Sequence, residues 1–176
     1  MPSFNSCQAH CLNKQQNIST HGKKGPMQHK IVSVIGGHNC SAEVEHIAHK
    51  LGIKLSKVVK YLCCGGLCGV MKAVCKGFKQ GKGITIGILP GYSKKEANKY
   101  VDLALPTGLG LARNVLVVKT GDVVVALPGS AGTLSEIAYC LQFNIPVIGI
   151  KSWDIPGVIN VKTVDEAVRK VKELLQ

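Results

Sequence analysis

The 176-residue chain is short of acid: ten Asp and Glu stand against 22 Lys and Arg, giving a formal charge of +12. Aromatic residues make up only 5%, so there is little with which to stack exposed bases, and a single-strand nucleic-acid binder is disfavoured. Long hydrophobic runs are missing as well. Val123 to Leu127 and Ile145 to Ile150 are the longest, far below the roughly 20 residues of a membrane span. The first 30 residues contain no apolar h-region and carry Gln15, Gln16, Asn17 and His21 instead, which is not the pattern of a secretory leader. A cytoplasmic location is the resulting expectation, with the eight cysteines as reduced thiols.

Two familiar nucleotide signatures are also lacking. Gly36-Gly37-His38 does not have G-x-G-x-x-G spacing, and Glu43 and Glu45 come too early to serve as a ribose acid. No G-x-x-x-x-G-K-[ST] loop occurs. NAD and ATP are therefore not the expected ligands. Cys7, His10 and Cys11 lie close together but without a second Cys-x-x-Cys pair, so no metal is expected. No cofactor is expected either, since no lysine stands out as a pyridoxal phosphate anchor.

The positive charge is concentrated. Residues 1–30 hold four Lys and no acid, and residues 50–99 hold eleven Lys against Glu96. The remainder carries −2 over 31–49 and is balanced, seven against seven, over 100–176. A basic middle suits an anionic ligand or nucleic acid; scattered lysines on helix faces also serve solubility.

Residues 1–29 have no hydrophobic period and are broken by Pro2, Gly22, Gly25 and Pro26, which predicts a flexible tail before a single domain over 30–176. From Lys30 the pattern is strand, turn, helix, repeated. Strands are predicted at Ile31–Ile35, Val58–Cys63, Gly83–Leu89, Val101–Leu105, Asp122–Leu127 and Val147–Ile150, with a short edge strand at Val158–Val161. Helices are predicted from the Ser41 cap through Leu51, over Val70–Lys79, Leu109–Val118, Ala131–Phe143 and Thr163–Leu175. Strands apolar on both faces and alternating with helices imply an α/β fold: one doubly wound, Rossmann-like domain with a mostly parallel sheet and helices on both faces. Such sheets bind ligands at the carboxyl ends of their strands.

Three glycine turns follow strands: Gly36-Gly37, Gly65-Gly66-Leu67-Cys68-Gly69, and Gly129-Ser130-Ala131-Gly132-Thr133. Glycine lets backbone amides approach a ligand, and the helix that follows offers free N–H groups to an anion. Thr133 adds a hydroxyl. Glu136 falls in the first turn of its helix, and Arg113 supplies a guanidinium that can grip phosphate through two bonds.

The segments Gly65-Gly-Leu-Cys-Gly-Val-Met71, Gly87-Ile-Leu-Pro-Gly91, Thr107-Gly-Leu-Gly-Leu-Ala-Arg-Asn114 and Pro128-Gly-Ser-Ala-Gly-Thr-Leu-Ser-Glu136 resemble the LOG-like family, some of whose members carry a lysine-decarboxylase label. The resemblance implies a Rossmann-like homodimer or larger homo-oligomer and, as the first expectation for this chain, hydrolysis, as by the family's enzymes, of the N-glycosidic bond of a nucleoside 5′-monophosphate to base and ribose 5-phosphate. By motif it makes Arg113 and Glu136 the catalytic pair, with the glycine turns, Met71 and Asn114 on the phosphorylated ligand. Ser130 replaces the enzymes' second motif glycine, and Asn114 stands where they commonly have lysine. The Arg-Asn version is similar to a sister branch that includes molybdenum-cofactor carriers, which bind a phosphorylated pterin without turnover. A more distant resemblance to DNA-processing protein A keeps nucleic-acid binding as a third, less favoured reading.

Overall fold

The computed structural model describes residues 29–176; residues 1–28 of the predicted tail, including Cys7, His10 and Cys11, lie outside it. Seven strands form one parallel sheet: β1 (Ile31–Ile35), β2 (Tyr61–Cys64), β3 (Ile84–Leu89), β4 (Leu103–Pro106), β5 (Val123–Ala126), β6 (Val147–Ile150) and β7 (Ile159–Val161). Their spatial order is β4-β3-β2-β1-β5-β6-β7. The chain builds outward from β1 in one direction, then returns to its other side at β5. That reversal between β1 and β5 opens a crevice at their carboxyl ends, where doubly wound sheets take ligands.

Five helices cover the faces: α1 (Ala42–Leu55), α2 (Val70–Gln80), α3 (Asn114–Thr120), α4 (Ala131–Gln142) and α5 (Val164–Leu174). The split between faces follows the two-residue period of the strands. Val32 and Val34 of β1 and Val123 and Val125 of β5 join the core beneath α1, α2 and α5. Ile35, Val124 and Ala126 face the opposite core with Val117 and Val118 of α3 and Ile137 and Cys140 of α4. Ser33 is the polar exception in β1; it is fully buried and its hydroxyl donates to the Val117 carbonyl at 2.7 Å, which removes the cost of an unpaired buried group.

The predicted α/β, doubly wound architecture is thus observed, with local differences: α1 runs on to Leu55, β4 starts at Leu103, and two boundaries move for clear reasons. Val58 to Lys60 do not begin β2. The amides of Val58 and Val59 both donate back to the Leu55 carbonyl, closing α1, and the strand starts at Tyr61. The helix expected over 109–118 starts late. Gly108 and Gly110 have φ of +67° and +55°, conformations incompatible with an α-helix, so residues 110–113 form a 3₁₀ turn and α3 begins at Asn114. The turn is what brings Arg113 to the carboxyl end of the sheet.

Candidate functional site

Gly37 ties the three glycine turns together. Its amide donates to the Pro128 carbonyl at 3.0 Å, and its carbonyl accepts from the Val70 amide at 3.1 Å. The β1 turn is therefore pinned to the β5 turn on one side and to the start of α2 on the other. Between them lies a cavity of about 370 Å³, a volume suited to a small heterocyclic ligand. Of the predicted site residues, Gly36, Gly37, Gly65, Met71, Arg113, Asn114, Ser130, Gly132, Thr133 and Glu136 line it.

Four others do not. Gly66 backs onto β3, where a Cβ would sit 3.0 Å from Gly87 Cα. Gly69, with φ of +61°, presses on the carbonyls of Gly37 and His38. Gly129 is wedged between the Thr133 side chain and the Gly37 amide and lines only the neighbouring hollows. Ala131 lines none of these cavities. These positions shape the turns instead of facing the main cavity.

The turns also differ in what their helices leave open. Ser41 caps α1, its hydroxyl accepting from the Val44 amide at 3.3 Å. The first amide of α2 is taken by Gly37. The side chain of Ser130, at the corresponding position before α4, makes no capping bond. Its backbone carbonyl accepts from Leu134, and a helix cannot pair its first amides internally, so this turn offers uncapped N–H groups. Gly132 sharpens the point. A Cβ there would meet nothing within 4 Å, so the fold does not need glycine, and one inside a helix costs about 0.5–1 kcal/mol relative to Ala. Its smallness keeps the cavity floor clear.

Arg113 and Glu136 are 7% and 6% exposed; with the helix starting at Ala131, Glu136 falls in the second turn of α4, not the first. Arg113 Nη1 donates to Asn114 Oδ1 at 2.6 Å and lies 3.5 Å from Glu136 Oε1. Asn114 Nδ2 in turn donates to Ser135 Oγ at 3.2 Å, and that hydroxyl donates to the Gly132 carbonyl at 2.7 Å. The arginine is thereby fixed to the α4 turn through Asn114. Arg113 Nε is buried with no hydrogen-bond partner. Gly65 makes room for the guanidinium: a Cβ there would be 2.6 Å from Nη2. Burial pushes the Glu136 carboxyl up to about 7, against the lowering effect of Arg113.

Sequence reasoning did not nominate the apolar part of the wall, Leu67, Pro90 and Leu111. The signal was present, since all three fall inside the quoted segments, and Leu111 is 79% exposed. His38, at the end of the β1 turn, also lines the cavity. Among the described residues no group of three or more potential metal ligands occurs. Cys63, Cys64, Cys75 and Cys140 are buried and Cys68 is exposed.

The fold and the cavity define a Rossmann-like protein with a crevice at its topological switch point. The chain belongs to the SLOG cluster4 family, whose model matches residues 29–175. An uncharacterized protein of Archaeoglobus fulgidus is 36% identical over 138 residues, covering 78% of this chain and 91% of its own. Among solved structures, the molybdenum cofactor binding protein from the phototrophic bacterium Rippkaea orientalis is 31% identical with a TM-score of 0.81, covering 86% of this chain and all (100%) of its own. The molybdenum cofactor carrier protein from Chlamydomonas reinhardtii is 31% identical with a TM-score of 0.77, over 84% and 99%. The similarity to DNA processing protein A from Helicobacter pylori, at 16% identity and a TM-score of 0.63 over 82% of this chain and 80% of that one, is one of fold alone. No described helix is long and apolar enough to cross a membrane.

Proposed function

We propose that the chain binds and carries a phosphorylated heterocycle of pterin-like class, such as the molybdenum cofactor as cargo, without turning it over. The observation that carries this reading is the open α4 turn: uncapped amides and an unfilled space at Gly132 beside a fixed arginine in a cavity of heterocycle size. A phosphate accepts from the turn amides and from Arg113, and the apolar wall of Leu67, Pro90 and Leu111 takes the flat ring. The carriers among the similar structures support the class of cargo, as do Asn114 and Ser130, where the sequence departs from the hydrolases' motif.

One observation favours a second reading, hydrolysis of a nucleoside 5′-monophosphate to base and ribose 5-phosphate. Glu136 stands in the cavity wall with its carboxyl raised to about 7, a value suited to an acid or base working near neutrality. In that reading Arg113 and Glu136 are the catalytic pair. The two readings part on one experiment. Purified protein is incubated with a panel of nucleoside monophosphates while free base is followed by chromatography, and phosphorylated pterin binding is measured in parallel. Tight pterin binding with no base release is expected. Base release that falls ~100-fold or more in Glu136→Gln would replace the carrier with the hydrolase.

A homo-oligomer in the cytoplasm belongs to the same proposal. Leu103 and Leu105, alternate residues of edge strand β4, and Leu109 and Leu111 just beyond it are each more than 40% exposed. That surface supports self-association, and sedimentation equilibrium giving only 18.7 kDa would remove it. Nucleic acid is less favoured: with aromatics at only 5% of the chain, few faces are available to stack bases.

A further inference from the structure

The crevice does not end at the α4 turn. The main cavity shares Gly37, His38 and Ser130 with a second hollow of about 490 Å³. That hollow shares Pro128 and Gly129 with a third, of about 330 Å³, walled by Lys151, Ser152, Trp153 and Asp154. The three hollows thus lie in series, from Arg113 and Glu136, past the turn expected to hold phosphate, to the carboxyl end of β6. We propose that this far arm is a second base subsite, so that the chain takes a two-headed ligand: two heterocycles joined through a diphosphate that crosses the α4 turn.

Four features of the far arm fit a nucleoside. Trp153 is 41% exposed on its wall and offers a stacking face. Asp154 accepts from Asn160 Nδ2 at 2.8 Å, an arrangement that fixes the carboxylate and leaves it acceptor-only toward a base edge that donates N–H. Lys151 supplies a cation beside the phosphate path, where it pairs with Glu43 of α1. It holds φ of +50°, a left-handed conformation that non-glycine residues seldom adopt, where the chain leaves β6. Finally, Ser152 Oγ is buried without a hydrogen-bond partner, and one χ1 rotation moves a serine hydroxyl to a new direction. The topology agrees: dinucleotides span the switch point of doubly wound sheets, one half to each side.

The inference rests on the proposed phosphate site in the main cavity, and the test separates the two. Trp153 is the single tryptophan of the chain, so intrinsic fluorescence reports on the far arm alone. Full-length protein is titrated with GMP and with diguanosine diphosphate, guanine being chosen because its edge carries adjacent N–H donors and matches the pterin edge. Calorimetry gives both affinities. The dinucleotide is expected to bind at least tenfold more tightly than GMP and to change Trp153 emission, whereas GMP leaves emission within a few per cent. Trp153→Leu and Asp154→Ala should each erase most of the tenfold advantage and leave GMP affinity unchanged. Equal affinities, or no emission change with the dinucleotide, would overturn the second subsite while GMP binding that is lost in Gly132→Asp keeps the first. Failure of both ligands to bind would overturn both.

Discussion

Arg113 gives its short bond to Asn114, 2.6 Å away, and stands 3.5 Å from Glu136, although both charged partners are almost fully buried. The ion pair is too loose to offset the loss of water around the carboxylate, and the Glu136 carboxyl rises to about 7 as a result. A carboxyl raised in the folded state binds protons more tightly there than in the unfolded chain. Its contribution is present in full below about pH 4.5 and is lost as pH rises through about 7. The size is roughly 3 kcal/mol at 1.36 kcal/mol per pH unit. Chemical denaturation between pH 4.5 and 7.5 should show wild type losing stability relative to Glu136→Gln by an amount of this order. Parallel curves for the two proteins would mean that Glu136 is ionised throughout.

Ligand binding should carry the same signature with its own readout. An anion held at the α4 turn meets a neutral Glu136 below about pH 7 and a carboxylate above it. With a sulfate-bearing probe, which does not titrate in this range, affinity should weaken several-fold from pH 6 to pH 8 in wild type. In Glu136→Gln it should stay flat. Calorimetry in two buffers of different ionisation enthalpy checks this directly, because wild type should take up a fraction of a proton on binding near pH 7. An equal pH dependence in both proteins would place the anion away from Glu136.

Much of this site was legible in the sequence because its parts are local. A glycine turn followed by a helix can be read within ten residues, and so can the spacing of Thr133 and Glu136. The sheet was legible for the same reason: β5 and β6 are short apolar runs rich in Val and Ile, whose length and β-branching favour a strand buried on both faces. What could not be read was which glycines face the cavity. Gly132 and Gly129 look alike in sequence, yet one borders open space and the other is clamped by Thr133 and Gly37, a difference made by neighbours from another turn. The late start of α3 was hidden similarly, since the valines after Asn114 carry a helical pattern while the positive φ of Gly108 and Gly110 is set by the turn. Leu67, Pro90 and Leu111 read as ordinary apolar residues until the fold sets them around one cavity.

Thiol chemistry should follow burial. Cys63 and Cys140 are pushed up to about 12 by burial, and Cys64 and Cys75 are held 3.5 Å apart inside the core. Cys68 is exposed in the second glycine turn. With iodoacetamide at pH 8 and peptide mass spectrometry, Cys68 should be alkylated first among the described cysteines, and Cys63 and Cys140 at least ~100-fold more slowly, because the thiolate is the nucleophile. Labelling of Cys63 at the rate of Cys68 in folded protein would contradict the packing of β2 between the two cores.

Two glycine substitutions should separate folding from binding. In Gly132→Asp the new Cβ meets nothing within 4 Å, and an acid in the first turn of a helix is favoured by the helix dipole. The variant should therefore keep its melting temperature within a few degrees of wild type. Its carboxylate, however, occupies the space left for phosphate and repels it, so binding of a phosphorylated pterin or nucleotide should fall ~100-fold or more. Gly69→Ala should do the reverse. Its φ is +61° and its Cβ would come within 2.2 Å of the His38 carbonyl oxygen and 2.4 Å of that of Gly37, rigid backbone atoms that link the three turns. A loss of at least about 2–3 kcal/mol of stability is expected from overpacking together with backbone strain, with any ligand affinity changing only as the folded fraction falls. Should Gly132→Asp fold normally and still bind with wild-type affinity, the phosphate is not at the α4 turn, and the carrier and hydrolase readings both lose the site on which they stand.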